Sequence, residues 1–190
     1  MFLLQAACAS ISAEQAFKTL SAEIEEPLEV CSTISGTYEF VGTPLPGVPT
    51  HWNDWGLYFD YFLRHRTIFF SHGMDEEEAI KTVTAEVEST QDRTIQVHVK
   101  GPFGQKTVVL PERPEDQLGC FEGKIILTRV RDFYSEGSWG KSVFKHTFVK
   151  NVDGSLDVTL QVIGHHNSLL SLFLPWTHRE WYGARFAPKR

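Results

Sequence analysis

A period of two in the placement of apolar residues governs the second half of this chain. Val83, Ala85 and Val87 alternate with polar neighbours, and the same pattern returns over 95–99, 144–148 and 156–162. Successive side chains of a strand point to opposite faces, so this pattern predicts strands with one buried and one solvated face. Asp153-Gly154 has the composition of a hairpin turn, and Gly101-Pro102-Phe103-Gly104 predicts another turn. Short turns follow one another without intervening helices, which predicts an antiparallel meander.

The predicted fold class is mainly β. The strands over 28–163 are expected to form a single curved antiparallel sheet or a closed up-and-down barrel, because the open edges of a curved sheet invite aggregation. The aromatic stretch 55–70 lacks a clear period, and its Phe and Tyr content favours a pair of strands there, with a short buried helix followed by a strand as the alternative. No linker or repeat divides the 190 residues, so the chain is predicted to be a single domain, 1–190.

Helices are predicted at the two ends of this sheet. Ser12 and Gln15 form a capping box that begins an amphipathic helix over 12–26, and Pro27 ends it. The C-terminal segment 168–186 starts with an apolar run. A second capping box from Thr177 to Glu180 predicts a short helix within that segment.

Three residues near the start of the predicted sheet, Gly36-Thr37-Tyr38, resemble the first-strand pattern of the lipocalins. The lipocalins carry Trp where this chain has Tyr38, and the resemblance covers these three residues and the preceding helix. It implies a lipocalin-like barrel whose interior holds one small ligand.

Aromatic residues make up 13% of the chain, more ring surface than a core of this size ordinarily needs. The surplus predicts a hydrophobic pocket. We therefore expect the protein to bind a small hydrophobic molecule, aromatic or polyene-like, without a cofactor. The predicted ligand-binding residues are Tyr38, Phe40, Trp52, Trp55, Tyr58, Tyr61, Phe144 and Phe148.

The alternative is a cofactor-free isomerase, cyclase or dehydratase that uses acid-base catalysis in the same pocket. His51 and Asp54 lie close together in a Pro-rich loop, where a carboxylate that orients an imidazole would form an acid-base pair. Asp60 and His65 lie among aromatic residues, where burial would tune a carboxyl for proton transfer. In the competing structural interpretation, Trp52 and Trp55 anchor the loop and Asp54 caps a turn. Asp60 would then pair with an arginine such as Arg64 or Arg66, or would face water.

Several function classes are disfavoured. A net charge of −6 without clustered cations argues against nucleic-acid binding, and Gly-rich phosphate loops are missing from the sequence. Three cysteines without C-x-x-C spacing make a disulfide framework improbable, although one pair remains possible in an oxidising compartment. His165 and His166 are adjacent and would face opposite sides of a strand, so no metal site is predicted.

Localisation and partners are weakly indicated. The apolar residues 1–9 are similar to the end of an export signal but lack basic residues, which favours a cytoplasmic protein with export as the alternative. No uninterrupted apolar stretch is long enough for a transmembrane helix. The run Leu169–Trp176 could contact a membrane surface or a protein. The sequence leaves homo-oligomerisation undetermined.

Overall fold

The structure, a computed structural model, describes residues 31, 33–48, 58–63, 80–89, 94–102, 104–135, 138–168 and 176–189. Ten strands and one short helix lie within these ranges. In chain order they are β1 (Gly36–Glu39), β2 (Thr43–Pro44), α1 (Phe59–Leu63), β3 (Thr84–Ser89), β4 (Ile95–Gly101), β5 (Gly104–Leu110), β6 (Gln117–Phe121), β7 (Lys124–Ser135), β8 (Ser138–Lys150), β9 (Leu156–Ser168) and β10 (Trp176–Phe186).

The strands form two antiparallel sheets. The four-stranded sheet has the order β1-β3-β4-β5, and the six-stranded sheet has the order β2-β10-β9-β8-β7-β6. The predicted mainly β, antiparallel class is therefore confirmed. The prediction of one curved sheet or one closed barrel is wrong for the described residues, because neither sheet closes on itself.

The break between the sheets lies between β5 and β6. Pro111 follows β5 and has no N–H with which to continue the ladder. Glu112 and Asp116, in the connection that follows, form ion pairs with Arg129 and Arg131 of β7. The chain is thereby held at the edge of the six-stranded sheet, where β6 pairs with β7.

One apolar core joins the two sheets. In the four-stranded sheet the buried side chains alternate with exposed or half-buried ones, as the period of two predicts. The inward residues of both sheets belong to a single cluster of buried side chains, so the sheets pack face to face. The larger contributors to this core are Tyr38, Ile95, Leu110, Ile125, Leu127, Phe148, Leu160 and Phe186.

The two sheets differ in length. Strands β7 to β10 have 11 to 13 residues, whereas β3 to β5 have 6 or 7. At about 3.3 Å per residue these lengths correspond to roughly 40 Å and roughly 22 Å. The inner face of the six-stranded sheet, defined as the face on which Leu127, Phe148 and Leu160 lie, therefore continues beyond the apolar core.

Helix α1 replaces part of the strands predicted over 55–70. Phe59, Phe62 and Leu63 are buried at spacings of three and four, which places them on one helical face. The rings of Phe59 and Phe62 contact Phe186 of β10, with centroids 4.7 and 5.7 Å apart. Packing against β10 thus outweighs the β preference of these aromatic residues.

The predicted C-terminal helix is also wrong, because Trp176–Phe186 is strand β10. All eleven of its residues pair with β9. This ladder satisfies the backbone groups that the capping box from Thr177 to Glu180 would otherwise serve. Residues 169–175 of the apolar run lie outside the described residues, as does the helix predicted over 12–26.

Two predicted turns are confirmed. Asn151 to Ser155 join β8 to β9, with Gly154 at a positive φ of 86° that an L side chain rarely adopts. Gly101 and Gly104 face each other across the turn between β4 and β5.

A disulfide joins Cys31 to Cys120. Cys31 precedes β1 of the four-stranded sheet, and Cys120 lies in β6 at the edge of the other sheet. The bond therefore crosslinks the two sheets at a sequence separation of 89. The sequence left one disulfide possible among its three cysteines, and the structure shows one, between Cys31 and Cys120.

Removal of this disulfide should destabilise the fold. We expect the double variant Cys31→Ala/Cys120→Ala to lose about 2–4 kcal/mol in free energy of unfolding, because the crosslink restricts the unfolded chain over a long loop. Urea denaturation without reductant measures the loss. Cys8→Ala removes a cysteine outside this bond and is the control. Equal stability of the double variant and the control would contradict the prediction.

Tyr38 is buried in the core with 1% of its surface exposed. Its hydroxyl donates a hydrogen bond to the carbonyl oxygen of Ile34 at 2.6 Å. Burial raises the pKa of this phenol from 10.0 to about 12. The folded protein therefore holds the proton at pH values where an unfolded chain releases it.

This pKa predicts a loss of stability at alkaline pH. The contribution of protonated Tyr38 to the free energy of unfolding is complete below pH 10 and falls as the pH rises towards about 12. Tyr38→Phe should lower the free energy of unfolding by about 1 kcal/mol at neutral pH, since one hydrogen bond is lost, and should flatten the decline above pH 10. Unfolding curves at several pH values measure both effects. Tyr134→Phe, at an exposed tyrosine, should leave the decline unchanged, and an equal decline in Tyr38→Phe would contradict the assignment.

Candidate functional site

Polar side chains gather where the inner face of the six-stranded sheet extends past the core. They come from the four long strands. We call this region the polar end and define it by Arg129, Arg131, His146, His166, His178, Glu180 and Tyr182.

The strand register arranges the polar end in rows across the sheet. Arg129 on β7 lies opposite Phe144 on β8, which lies opposite Val162 on β9, which in turn lies opposite Glu180 on β10. The next row, farther from the core, contains Ser142 and Gly164 in its middle. Polar side chains therefore lie on β7 and on β10, on either side of the residues from β8 and β9, and these two strands are roughly 14 Å apart.

The middle of these two rows is apolar or small. Phe144, Val162, Ser142 and Gly164 are all buried and together form what we call the floor. Phe144 and Val162 belong to the main core, so the floor is a direct continuation of it.

Arg129 is a buried cation with 3% of its surface exposed. Its guanidinium donates hydrogen bonds to Glu112, to the carbonyl oxygen of Leu63 at 3.0 Å and to Nε2 of His146 at 2.9 Å. Because arginine has only donors, Nε2 of His146 must accept, and its proton is carried on Nδ1. The contact with Leu63 also fixes the end of α1 over the sheet.

A second ion pair supports the first. Arg131 binds Asp116 through two parallel hydrogen bonds of 2.5 and 2.7 Å. The hydrogen bonds that Arg131 donates to Asp116 raise the pKa of Arg131. Burial lowers the pKa of Arg129, and the negative charge of Glu112 partly offsets this effect. Two cations and two carboxylates balance here, as buried charges require.

On the other side of the floor, four side chains of β9 and β10 form a continuous chain. Nε2 of His166 and Nδ1 of His178 lie 2.6 Å apart. Nε2 of His178 lies 3.9 Å from Glu180, whose carboxylate accepts a hydrogen bond from the hydroxyl of Tyr182. Burial lowers the pKa of His166, and the neighbouring His178 lowers it further.

Gly164 makes room for the two imidazoles. A Cβ atom at this position would lie 2.1 Å from Cε1 of His178 and 2.6 Å from Nε2 of His166. The absence of a side chain at Gly164 is therefore a condition for the contact between the rings. His165 lies on the opposite face, where Nδ1 contacts the hydroxyl of Thr177 at 3.1 Å.

The predicted ligand-binding residues occupy different places. Phe144 forms part of the floor, while Tyr38, Phe40 and Phe148 are buried in the main core. Tyr58 stacks on Phe40 with ring centroids 5.6 Å apart. Tyr61 lies in α1, but its side chain is outside the described atoms, and Trp52 and Trp55 lie outside the described residues.

The predicted catalytic residues are not placed by the structure. His51, Asp54 and His65 lie outside the described residues, and Asp60 is described in its backbone alone, within α1. The proposal that they act together in a pocket stays a prediction.

Sequence reasoning missed the polar end. From Thr177 to Tyr182 the sequence has no alternation of apolar and polar residues. The sequence therefore favours the capping-box interpretation, and the shared face of His166 and His178 could not be inferred. The inward position of His146 follows from the period of two over 144–148, whereas residues 125–131 have apolar side chains on both faces and carry no signal that places Arg129 inward.

Two features are absent from the described part of the chain. Among those residues no cluster of three or more His, Cys, Asp or Glu side chains surrounds one point. No helix among them has the length and apolarity to cross a membrane.

Comparisons of the chain with family models, with curated proteins and with solved structures find no match. The function proposed below therefore rests on the geometry of this molecule.

The buried cation should be important for stability. Arg129→Met removes the donor to Glu112, His146 and the carbonyl of Leu63, and we expect it to lower the free energy of unfolding by about 3 kcal/mol, as when one partner of a buried pair is deleted. Arg185→Met is the matched control, because Arg185 binds Asp157 at an exposed site. Chemical denaturation compares the two. A control as destabilised as Arg129→Met would show that burial is not the cause.

Proposed function

We propose that this protein binds a small hydrophobic molecule on the floor. The observation that carries the proposal is the composition of the inner face beyond the core. Its middle consists of Phe144, Val162, Ser142 and Gly164, and in these two rows the charged side chains and His178 lie on the flanking strands β7 and β10. Small-molecule sites of proteins share this composition: an apolar lining with a few polar groups that fix orientation.

The floor and its surroundings favour a flat or elongated ligand. Ser142 carries little side-chain volume, and the ring of Phe144 in the adjacent row offers an aromatic contact. A polar group at one end of the ligand would meet donors and acceptors on β10, where Glu180 and Tyr182 lie. The predicted aromatic or polyene-like class is compatible with these features.

The disulfide bears on where the protein works. Disulfides form and persist mainly in oxidising compartments. The bond between Cys31 and Cys120 therefore supports the exported alternative over the cytoplasmic one.

The enzyme alternative is favoured by one observation. The hydroxyl of Tyr182 donates to the carboxylate of Glu180, which lies in the same row as Phe144 and Val162. A paired phenol and carboxylate beside a bound molecule could transfer a proton during an isomerisation or dehydration. In this version Glu180→Gln would retain the ligand and lose turnover, whereas a carrier would have no turnover to lose.

The binding proposal is tested by filling the floor. Native mass spectrometry of protein purified from its source should show a retained small molecule, and Ser142→Leu should reduce its occupancy at least about tenfold by occupying the ligand's space. Thr147→Leu makes the same change on the opposite face of β8 and should keep full occupancy.

Two results would overturn the proposal. The first is folded wild-type protein from its source that carries no molecule and does not take up a hydrophobic fluorophore. The second is Ser142→Leu protein that retains the molecule as well as Thr147→Leu protein does.

A further inference from the structure

We propose that His166 and His178 form a binding site for one divalent transition-metal ion of the Zn²⁺, Cu²⁺ or Ni²⁺ class. The site lies on the inner face at the junction of β9 and β10, and it does not depend on the small molecule proposed for the floor.

The geometry of the two rings carries this inference. Nε2 of His166 and Nδ1 of His178 point at each other from 2.6 Å, and the ring centroids lie 4.5 Å apart. Without a metal, one nitrogen must carry the proton and the other must accept it. Two imidazole ligands of one tetrahedral ion, each about 2.0–2.1 Å from it, would stand about 3.3 Å apart. The two nitrogens would therefore move apart by about 0.7 Å, and the rings would turn towards the ion, when the proton-sharing pair becomes a metal-binding pair.

The floor beneath the pair is shaped for this contact. Gly164 lies directly opposite His178 in the ladder, and His166 follows two residues later on the same face. A Cβ at Gly164 would lie 2.6 Å from both of the nitrogens that face each other. Any larger residue would displace the rings, so glycine keeps both nitrogens directed at one point.

The remaining nitrogen of His178 has the neighbour that a metal ligand commonly has. Nε2 lies 3.9 Å from Oε1 of Glu180, and the other oxygen of that carboxylate accepts from Tyr182. A carboxylate beside the outer nitrogen of a ligating histidine orients the ring and raises its basicity. At 3.9 Å the carboxylate of Glu180 is an electrostatic neighbour of His178 and not a hydrogen-bond partner.

The ligand set fixes the class of ion. Imidazole nitrogen suits Zn²⁺, Cu²⁺ and Ni²⁺, whereas Mg²⁺ and Ca²⁺ require oxygen ligands. Among the residues that the structure describes, the two histidines are the ligands that this site supplies.

The test is isothermal titration of metal-free, full-length protein with Zn²⁺, with Mg²⁺ as the contrasting ion. Wild-type protein should bind one Zn²⁺ per chain and no Mg²⁺. His166→Gln and His178→Gln should each weaken Zn²⁺ binding at least about tenfold. His165→Gln is the matched control, because His165 is adjacent in sequence but lies on the opposite face against Thr177.

A second measurement uses wild-type protein and therefore does not depend on whether the histidine variants fold. Histidine ¹⁵N spectra of wild-type protein should show that Zn²⁺ shifts Nε2 of His166 and Nδ1 of His178 and leaves the ring of His165 unchanged. The proposal is overturned if folded wild-type protein binds no Zn²⁺, if His165→Gln weakens binding as much as His166→Gln, or if the shifts fall on other histidines. Loss of Zn²⁺ binding would leave the proposal for the floor intact, since Ser142→Leu tests that separately.

Discussion

Contact between the inner faces of the two sheets is the interaction on which the rest of this structure depends. The inner face of each sheet is apolar, and neither sheet could be stable in water with that face exposed. The shared core fixes which face of β7 to β10 points inward. Because side chains alternate strictly along a strand, the same choice determines which residues beyond the core lie on the inner face. The positions of Arg129, His166 and His178 are consequences of core packing.

The polar end illustrates how a β structure accommodates charge beside its core. Arg129 and Arg131 are each paired with a carboxylate from the connection between β5 and β6, and Arg129 also binds His146 and the end of α1. The ion pairs therefore join three separate parts of the chain. They also hold the connection at the edge of β7, where a closed barrel would need β5 and β6 to pair with each other.

The sequence allowed the strand-rich class, the antiparallel order and the two tight turns to be predicted, because a period of two and turn residues such as Asp153-Gly154 act locally. It left α1 as the alternative to strands, because the choice depends on contact with Phe186, and it did not predict β10, whose ladder with β9 outweighs a local capping signal. The division into two sheets lies at Pro111 and the connection that follows it. Glu112 and Asp116 of this connection form ion pairs with β7 that no local signal in the sequence indicates. For the site, the inward direction of His146 was accessible, while the contact of His166 with His178 required the pairing register of two strands.

The pairing pattern has a consequence for the order in which the molecule assembles. Strands β6 to β9 each pair with the next strand along the chain, so this half can grow hairpin by hairpin during synthesis. Strands β1 and β2 cannot complete their pairing until the C-terminal residues are present, because β2 pairs with β10 and Tyr38 of β1 forms a bridge with Pro188. Such distant pairings carry the largest loss of chain entropy. We therefore expect the first-made strands of this protein to be among the last to dock.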